Sequence, residues 1–216
     1  MFLLFYNLSV LIACGCTTDS TFKVTLTQKT TTGVPQKAFA DTENHWGKSY
    51  ILPLAELSII NGKGEGTFDP DGQITRAEFL TLTLKVGNIT AASGEAYADV
   101  AQGAWFYNTV AVAKKLGLIP ESMVADGNFY PDRNITREEM TAVLTALYEY
   151  QKPAVRGAEI GHFTDRATFS DWAVTPIAKA VSLGLVAGNP DGSFNAQGNA
   201  TRAEAAVIMF RLLKLL

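Results

Sequence analysis

Three arginines occupy equivalent places in the chain: ITRAE at 74–78, ITREE at 135–139 and ATRAE at 200–204. Thr-x-x-Glu ahead of an apolar run is a capping box. The threonine hydroxyl accepts from the backbone N–H three residues on, and the glutamate reaches back to the threonine N–H. That accounts for Thr75, Thr136 and Thr201 with Glu78, Glu139 and Glu204, and leaves Arg76, Arg137 and Arg202 unexplained. In the first turn an exposed cation faces the positive end of the helix dipole, at a cost of about 0.3–1 kcal/mol. The same place offers N–H donors to an anion, and a guanidinium adds a planar fork that matches a carboxylate. The chemistry expected is recognition of an acidic ligand by exposed arginines at helix starts. The structural alternative is an ion pair with Asp41, Asp99 or Asp165. A calcium loop fits poorly. With Gly72 at the sixth position Glu78 falls at the twelfth, but the first position would be Thr67, Asn128 or Ser193, never Asp.

The elements that must hold these arginines repeat with them. Arg76, Arg137 and Arg202 are 61 and 65 residues apart, and Trp46, Trp105 and Trp172 are 59 and 67 apart, so each tryptophan precedes its arginine by 30–32 residues. An aromatic-x-Asp opening comes first in each unit: Phe39-Ala40-Asp41, Tyr97-Ala98-Asp99, Phe163-Thr164-Asp165. After each tryptophan, apolar residues at +5 and +8 (Ile51 and Leu54, Val110 and Ala113, Ile177 and Ala180) predict one face of a helix. Gly117 and Gly184 predict its end. The first unit has Ser58 there and Pro53 inside, which predicts a kinked or broken helix. Loops rich in Gly, Asp, Asn and Pro lead to second helices over FLTLTLKV, MTAVLTALYEY and AAVIMFRLLKLL. One such unit buries too little to stand alone, so a single all-α, pseudo-threefold domain with a shared core is expected over three beads.

These units resemble S-layer homology (SLH) motifs: FADTENHW…ILPL…GKGEGTFDPDGQITRAE, YADVAQGAW…GNFYPDRNITREE and FTDRATFSDW…GLVAGNPDGSFNAQGNATRAE. The resemblance covers roughly residues 38–216, with units at 38–96, 97–160 and 161–216. It implies an all-α SLH trimer of helix-loop-helix repeats around a central helix bundle. It also implies a non-enzymatic, non-covalent anchor that binds an acidic, pyruvylated secondary cell wall polysaccharide in grooves between repeats. By that resemblance Arg76, Arg137 and Arg202 contact the acid, while Asp41, Asp99, Asp165, Trp46, Trp105, Trp172, Gly62 and Gly188 line the grooves. The tryptophans alternatively serve as core anchors of the helix starts. The units depart from the pattern. Glu138 places a second carboxylate beside Arg137, the loop IPESMVADGNF lacks the first glycine, and the third unit has Ala200 for Ile and no Pro after Phe194. The groove using Arg76 is expected to be the most intact.

The N-terminal stretch differs in kind. An apolar run of about 13 residues suits a signal-peptide core and is too short to span a bilayer. It ends in Leu11-Ile12-Ala13-Cys14, which resembles a bacterial lipobox, although no Lys or Arg precedes it. Residues 1–16 are thus expected to export the protein, with Cys14 lipidated as its only membrane attachment, and the Thr-rich stretch 17–37 to act as a tether, within which FKVTLT could pair as a short strand. A net charge of −3 argues against nucleic acid as a partner. No cysteine follows Cys16, so the repeats hold neither disulfide nor Cys-based zinc site, and no cofactor or metal is expected. Two other functions remain open: a structural surface-assembly protein without glycan binding, and a wall-glycan hydrolase using a carboxylate pair such as Asp41 and Glu78.

Overall fold

Among the described residues six α-helices in three pairs, with short 3-10 turns between them, make up the regular structure: α1 (Lys48–Glu56), α2 (Arg76–Val86), α3 (Tyr107–Lys115), α4 (Arg137–Gln151), α5 (Val174–Ser182) and α6 (Arg202–Leu213). They belong to a computed structural model that describes residues 39–90, 94–152 and 155–216. The leader with Cys14, the Thr-rich tether and FKVTLT lie outside the described residues.

Each first helix spans nine residues and turns its +5 and +8 positions inward. Ile51, Leu54, Val110, Ala113, Ile177 and Ala180 are all fully buried. Pro53 does not break α1, which is as long as α3 and α5. It removes one helical N–H, and the carbonyl left over belongs to the exposed Ser49. All three first helices end alike. Ser58, Gly117 and Gly184 take the left-handed conformation (φ 58°, 67° and 68°). The next N–H then reaches back to Leu54, Ala113 or Ala180, each at 2.9 Å. This is the Schellman arrangement, and repeat 1 forms it with a serine.

The second helices begin in the expected capping boxes. Thr75, Thr136 and Thr201 accept from the N–H of Glu78, Glu139 and Glu204 at 3.2–3.3 Å, and each glutamate accepts from its threonine N–H at 2.8–3.1 Å. The helices pair across units. Helix α3 packs on α2, α5 on α4, and α1 closes the circle on α6, while α2, α4 and α6 meet one another in the centre. One continuous apolar cluster runs through all three units. On the pseudo-threefold axis the residues before the capping threonines form a closed hydrogen-bond ring. The Ile74 N–H donates to Ala200 O (3.2 Å), Ala200 to Ile135 (2.9 Å) and Ile135 to Ile74 (3.0 Å). Ala200 therefore keeps the backbone contact of the isoleucines it replaces, and it is fully buried.

Candidate functional site

The arginines do not stand exposed at free helix ends. Arg76 is 1 % exposed and Arg137 and Arg202 are 8 % exposed. Each crosses to the loop of the next unit. Arg76 donates from Nη1 to the carbonyls of Phe129 (2.6 Å) and Met123 (2.8 Å) and grips Glu139 with Nε (3.2 Å) and Nη2. Arg137 donates to Phe194 O (2.9 Å), Ala187 O (3.4 Å) and Glu204 (2.7 Å). Arg202 donates to Phe68 O (2.8 Å) and Asn61 O (3.0 Å) and makes no ion pair among the described residues. Each guanidinium also lies over the phenylalanine ring whose carbonyl it holds, at 5.8, 5.0 and 4.5 Å from the ring centres.

The helix-end donors are likewise used. The N–H groups of Arg76 and Ala77 donate to Arg133 and Pro131 carbonyls, those of Arg137 and Glu138 to Gly198 and Ala196, and those of Arg202 and Ala203 to Gly72 and Pro70. The third N–H of each helix is taken by its cap. The anion-receptive helix end expected from sequence is therefore filled by the neighbouring unit's backbone, which supplies the negative pole that the arginine lacks locally.

The alternative partners, Asp41, Asp99 and Asp165, hold loops instead. Each carboxylate accepts from two successive N–H groups at 2.6–3.0 Å: Phe68 and Asp69, Phe129 and Tyr130, Phe194 and Asn195. The second residue of each pair is left-handed (φ 60°, 56° and 57°), so the aspartate fixes the turn that presents the phenylalanine carbonyl to its arginine. Burial works to raise the Asp41 pKa, but the N–H donors of Phe68 and Asp69 and the nearby Arg202 charge outweigh it, and the carboxyl sits below its ordinary range. Glu78 is held down in the same sense. Its burial is outweighed by the Thr75 N–H and Lys63.

Two clefts open between units. The first, of about 200 Å³, is lined by the loop 59–63, helix α2, Arg202 and the indole of Trp105 from the second unit. Three cations face it: Arg202, Lys63 (3.1 Å from Glu78) and Lys85, which donates to Ser58 and Ile59 carbonyls at 3.2 Å. Burial depresses the Arg202 pKa, against the pull of Glu78, Asp69 and Asp41. The second cleft, of about 420 Å³, lies between the second and third units and includes Trp172.

Of the sequence candidates, Arg202, Trp105 and Gly62 come together in the first cleft, and Trp172 lines the second without any of the others. Arg76, whose groove the sequence favoured, is the most deeply committed arginine, and Arg202 the least. The tryptophans are not core anchors. Trp46, Trp105 and Trp172 are 59, 65 and 36 % exposed. Gly62 and Gly188 are required by close approach: a Cβ would lie 2.3 Å from Thr67 O and 2.7 Å from the Phe163 ring, respectively. Nor does Glu138 pair with Arg137. It turns to Ser170, accepting from its Oγ (2.8 Å) and N–H (3.2 Å). Lys63 and Lys85 were missed, since no cation stands at either place in the second unit and a search for repetition discards them.

Comparison with known proteins agrees with this architecture. The chain is 40 % identical over 185 residues to an amylopullulanase of Thermoanaerobacterium thermosulfurigenes, covering 82 % of this chain and 10 % of that protein. It is 39 % identical over 189 residues to the exoglucanase XynX of Acetivibrio thermocellus (84 % and 17 %). It is 31 % identical over 174 residues to the S-layer protein sap of Bacillus anthracis (79 % and 20 %). The chain thus spans a fifth or less of the length of these relatives. The S-layer homology domain profile matches residues 38–80, 96–141 and 162–206, and with three such motifs closed into one helical ring the chain belongs to the S-layer homology family.

Proposed function

We propose that this chain is a non-covalent, non-enzymatic cell-surface anchor that holds an acidic, pyruvylated secondary cell wall polysaccharide in the grooves between its units. The observation that carries this reading is the first groove, where Lys63, Lys85 and Arg202 face one cavity beside the exposed indole of Trp105. A carboxylate entering there meets three positive charges, offset by Glu78 beside Lys63 and by the pull of Glu78, Asp69 and Asp41 on Arg202, while Trp105 offers a flat face to a sugar ring. Arg76 and Arg137 act through the shape of the grooves, as do Asp41, Asp99 and Asp165. By the pseudo-threefold repeat we assign Trp46 and Gly188 the equivalent places between the third and first units. Relatives named as S-layer proteins support a place at the cell surface. A hydrolase needs one carboxyl kept protonated as general acid. Asp41 and Glu78 are both held below their ordinary range, which speaks against it.

Sedimentation with purified cell walls tests the reading. Lys63 and Trp105 are exposed enough to change without loss of fold, so Lys63→Glu combined with Trp105→Ala should keep the melting temperature. It should weaken wall binding roughly ten- to hundredfold, the scale of one or two charge-assisted contacts. Walls stripped of the non-peptidoglycan polymer should fail to bind the unaltered protein. Undiminished binding by the double variant would favour surface assembly without glycan recognition.

A further inference from the structure

We propose that the cleft between the second and third units is a subsite for an uncharged pyranose, chemically distinct from the acid-binding groove and resting on the same glycan-anchoring reading. The loop after the first helix is two residues longer in the second unit, and Lys63 falls opposite Ser122 counted from the left-handed residue that ends the helix or Val124 counted from the bridged turn, neither of them a cation. Counting from the capping arginine, Lys85 becomes Ala146. The arginine that holds the second unit's loop, as Arg202 holds the first, is Arg76; it does not line the second cleft and is already spent on Glu139 and two carbonyls. One cation, Lys179, faces the cleft, and Glu149 holds it at 2.5 Å. Every feature that would attract an acid in the first groove is thus replaced or neutralised in the second, and Glu121 adds a carboxylate there.

What remains suits a neutral sugar. Carboxylates accept from ring hydroxyls, the Lys179 ammonium donates, and Ser122 and Thr175 supply hydroxyls at the wall. The cavity, about 420 Å³, is within the usual range of about 300–1,000 Å³ for ligand sites. Trp172 gives the apolar face of a pyranose a platform, and that platform is fixed. It sits in the short 3-10 turn Asp171–Ala173, whose preceding residue, Ser170, is clamped through both N–H and Oγ by the buried Glu138. Thr145 Oγ1 donates to Pro176 O at 3.3 Å just beyond it. Glu138 is the one residue that interrupts the repeated TRAE sequence, and its work is done on this tryptophan. It is a positioning residue for the second cleft.

The three indole N–H resonances of the full chain, assigned with Trp46→Phe, Trp105→Phe and Trp172→Phe, report on each groove separately. The probes are methyl glycosides of glucose, galactose, N-acetylglucosamine and N-acetylmannosamine, the last also as its pyruvate ketal. At least one uncharged glycoside should move the Trp172 resonance and leave Trp105 still, and Trp172→Phe should keep the fold while weakening that binding. Glu138→Gln should weaken it less than Glu138→Ala, with the Trp172 resonance displaced even before sugar is added. A Trp172 resonance unmoved by all four uncharged glycosides, or moved only by the ketal, overturns the proposal. If the ketal fails to move Trp105 while an uncharged glycoside moves Trp172, the acid-anchor reading falls and this one stands.

Discussion

Removing the Arg76 guanidinium strands Glu139, buried and left with the Thr136 N–H and a distant Arg133. Losing one partner of a buried pair costs about 3–5 kcal/mol, so Arg76→Ala should markedly lower the urea midpoint. Arg202→Ala should cost less, because no carboxylate is paired with Arg202 to be stranded. Parallel urea unfolding of the two variants checks this order, and equal losses would contradict it. The carboxylates carry a pH dependence of known sign. Asp41 and Glu78 have folded pKa values below their ordinary 3.8 and 4.5. Their contribution is therefore complete above those values and is lost as pH falls through the depressed folded ones. Unfolding free energy should decline below about pH 4.5, and Asp41→Asn should flatten that decline while lowering stability at neutral pH.

Helix ends are where the chain's local grammar is easiest to test. Ser58 adopts a left-handed conformation that glycine takes without steric cost, so Ser58→Gly should stabilise the protein by about 0.5–1 kcal/mol, less what the freer unfolded chain takes back. Gly188→Ala should destabilise it by about 1–3 kcal/mol, since the added methyl meets the Phe163 ring and the Ser193 carbonyl. Thermal melts of both variants decide the signs. The capping boxes and the helix-ending Gly117 and Gly184 were legible in the sequence, as were the +5 and +8 faces, because their partners lie within a few residues; the same ending built on Ser58 was not. The arginine's acceptors were not. Glu139 is 63 residues from Arg76, and Phe68 is 134 residues from Arg202. A tryptophan beside a helix start gave no local sign of exposure either, because the next unit decides whether anything covers it. The misplaced charge at the first helical turn was the right anomaly to notice. Its answer lay in a neighbouring repeat, where backbone carbonyls, and for Arg76 and Arg137 a glutamate as well, complete the site.

Around the ring, no unit is self-sufficient. Each first helix packs on the second helix of the preceding unit, and each arginine is seated in the following one. The described repeats should therefore unfold in a single calorimetric transition, and a version ending at residue 160 should lack cooperative unfolding, having lost α6 from beneath α1 and Phe194 from beneath Arg137. Stable folding of that shortened chain would contradict the closed ring. At the other end, intact-mass measurement of the native protein should find a lipidated Cys14 as the first residue, and an unprocessed Met1 would end that expectation.

Closure of the ring also sets an order in time. The cationic groove takes its loop and helix from the first repeat, its tryptophan from the second and its arginine from the third. A chain emerging from a ribosome carries no finished cationic groove until residue 202 has followed residues 59–63 and 105 out. A chain halted before that point has the groove's loop, helix and indole but not its arginine.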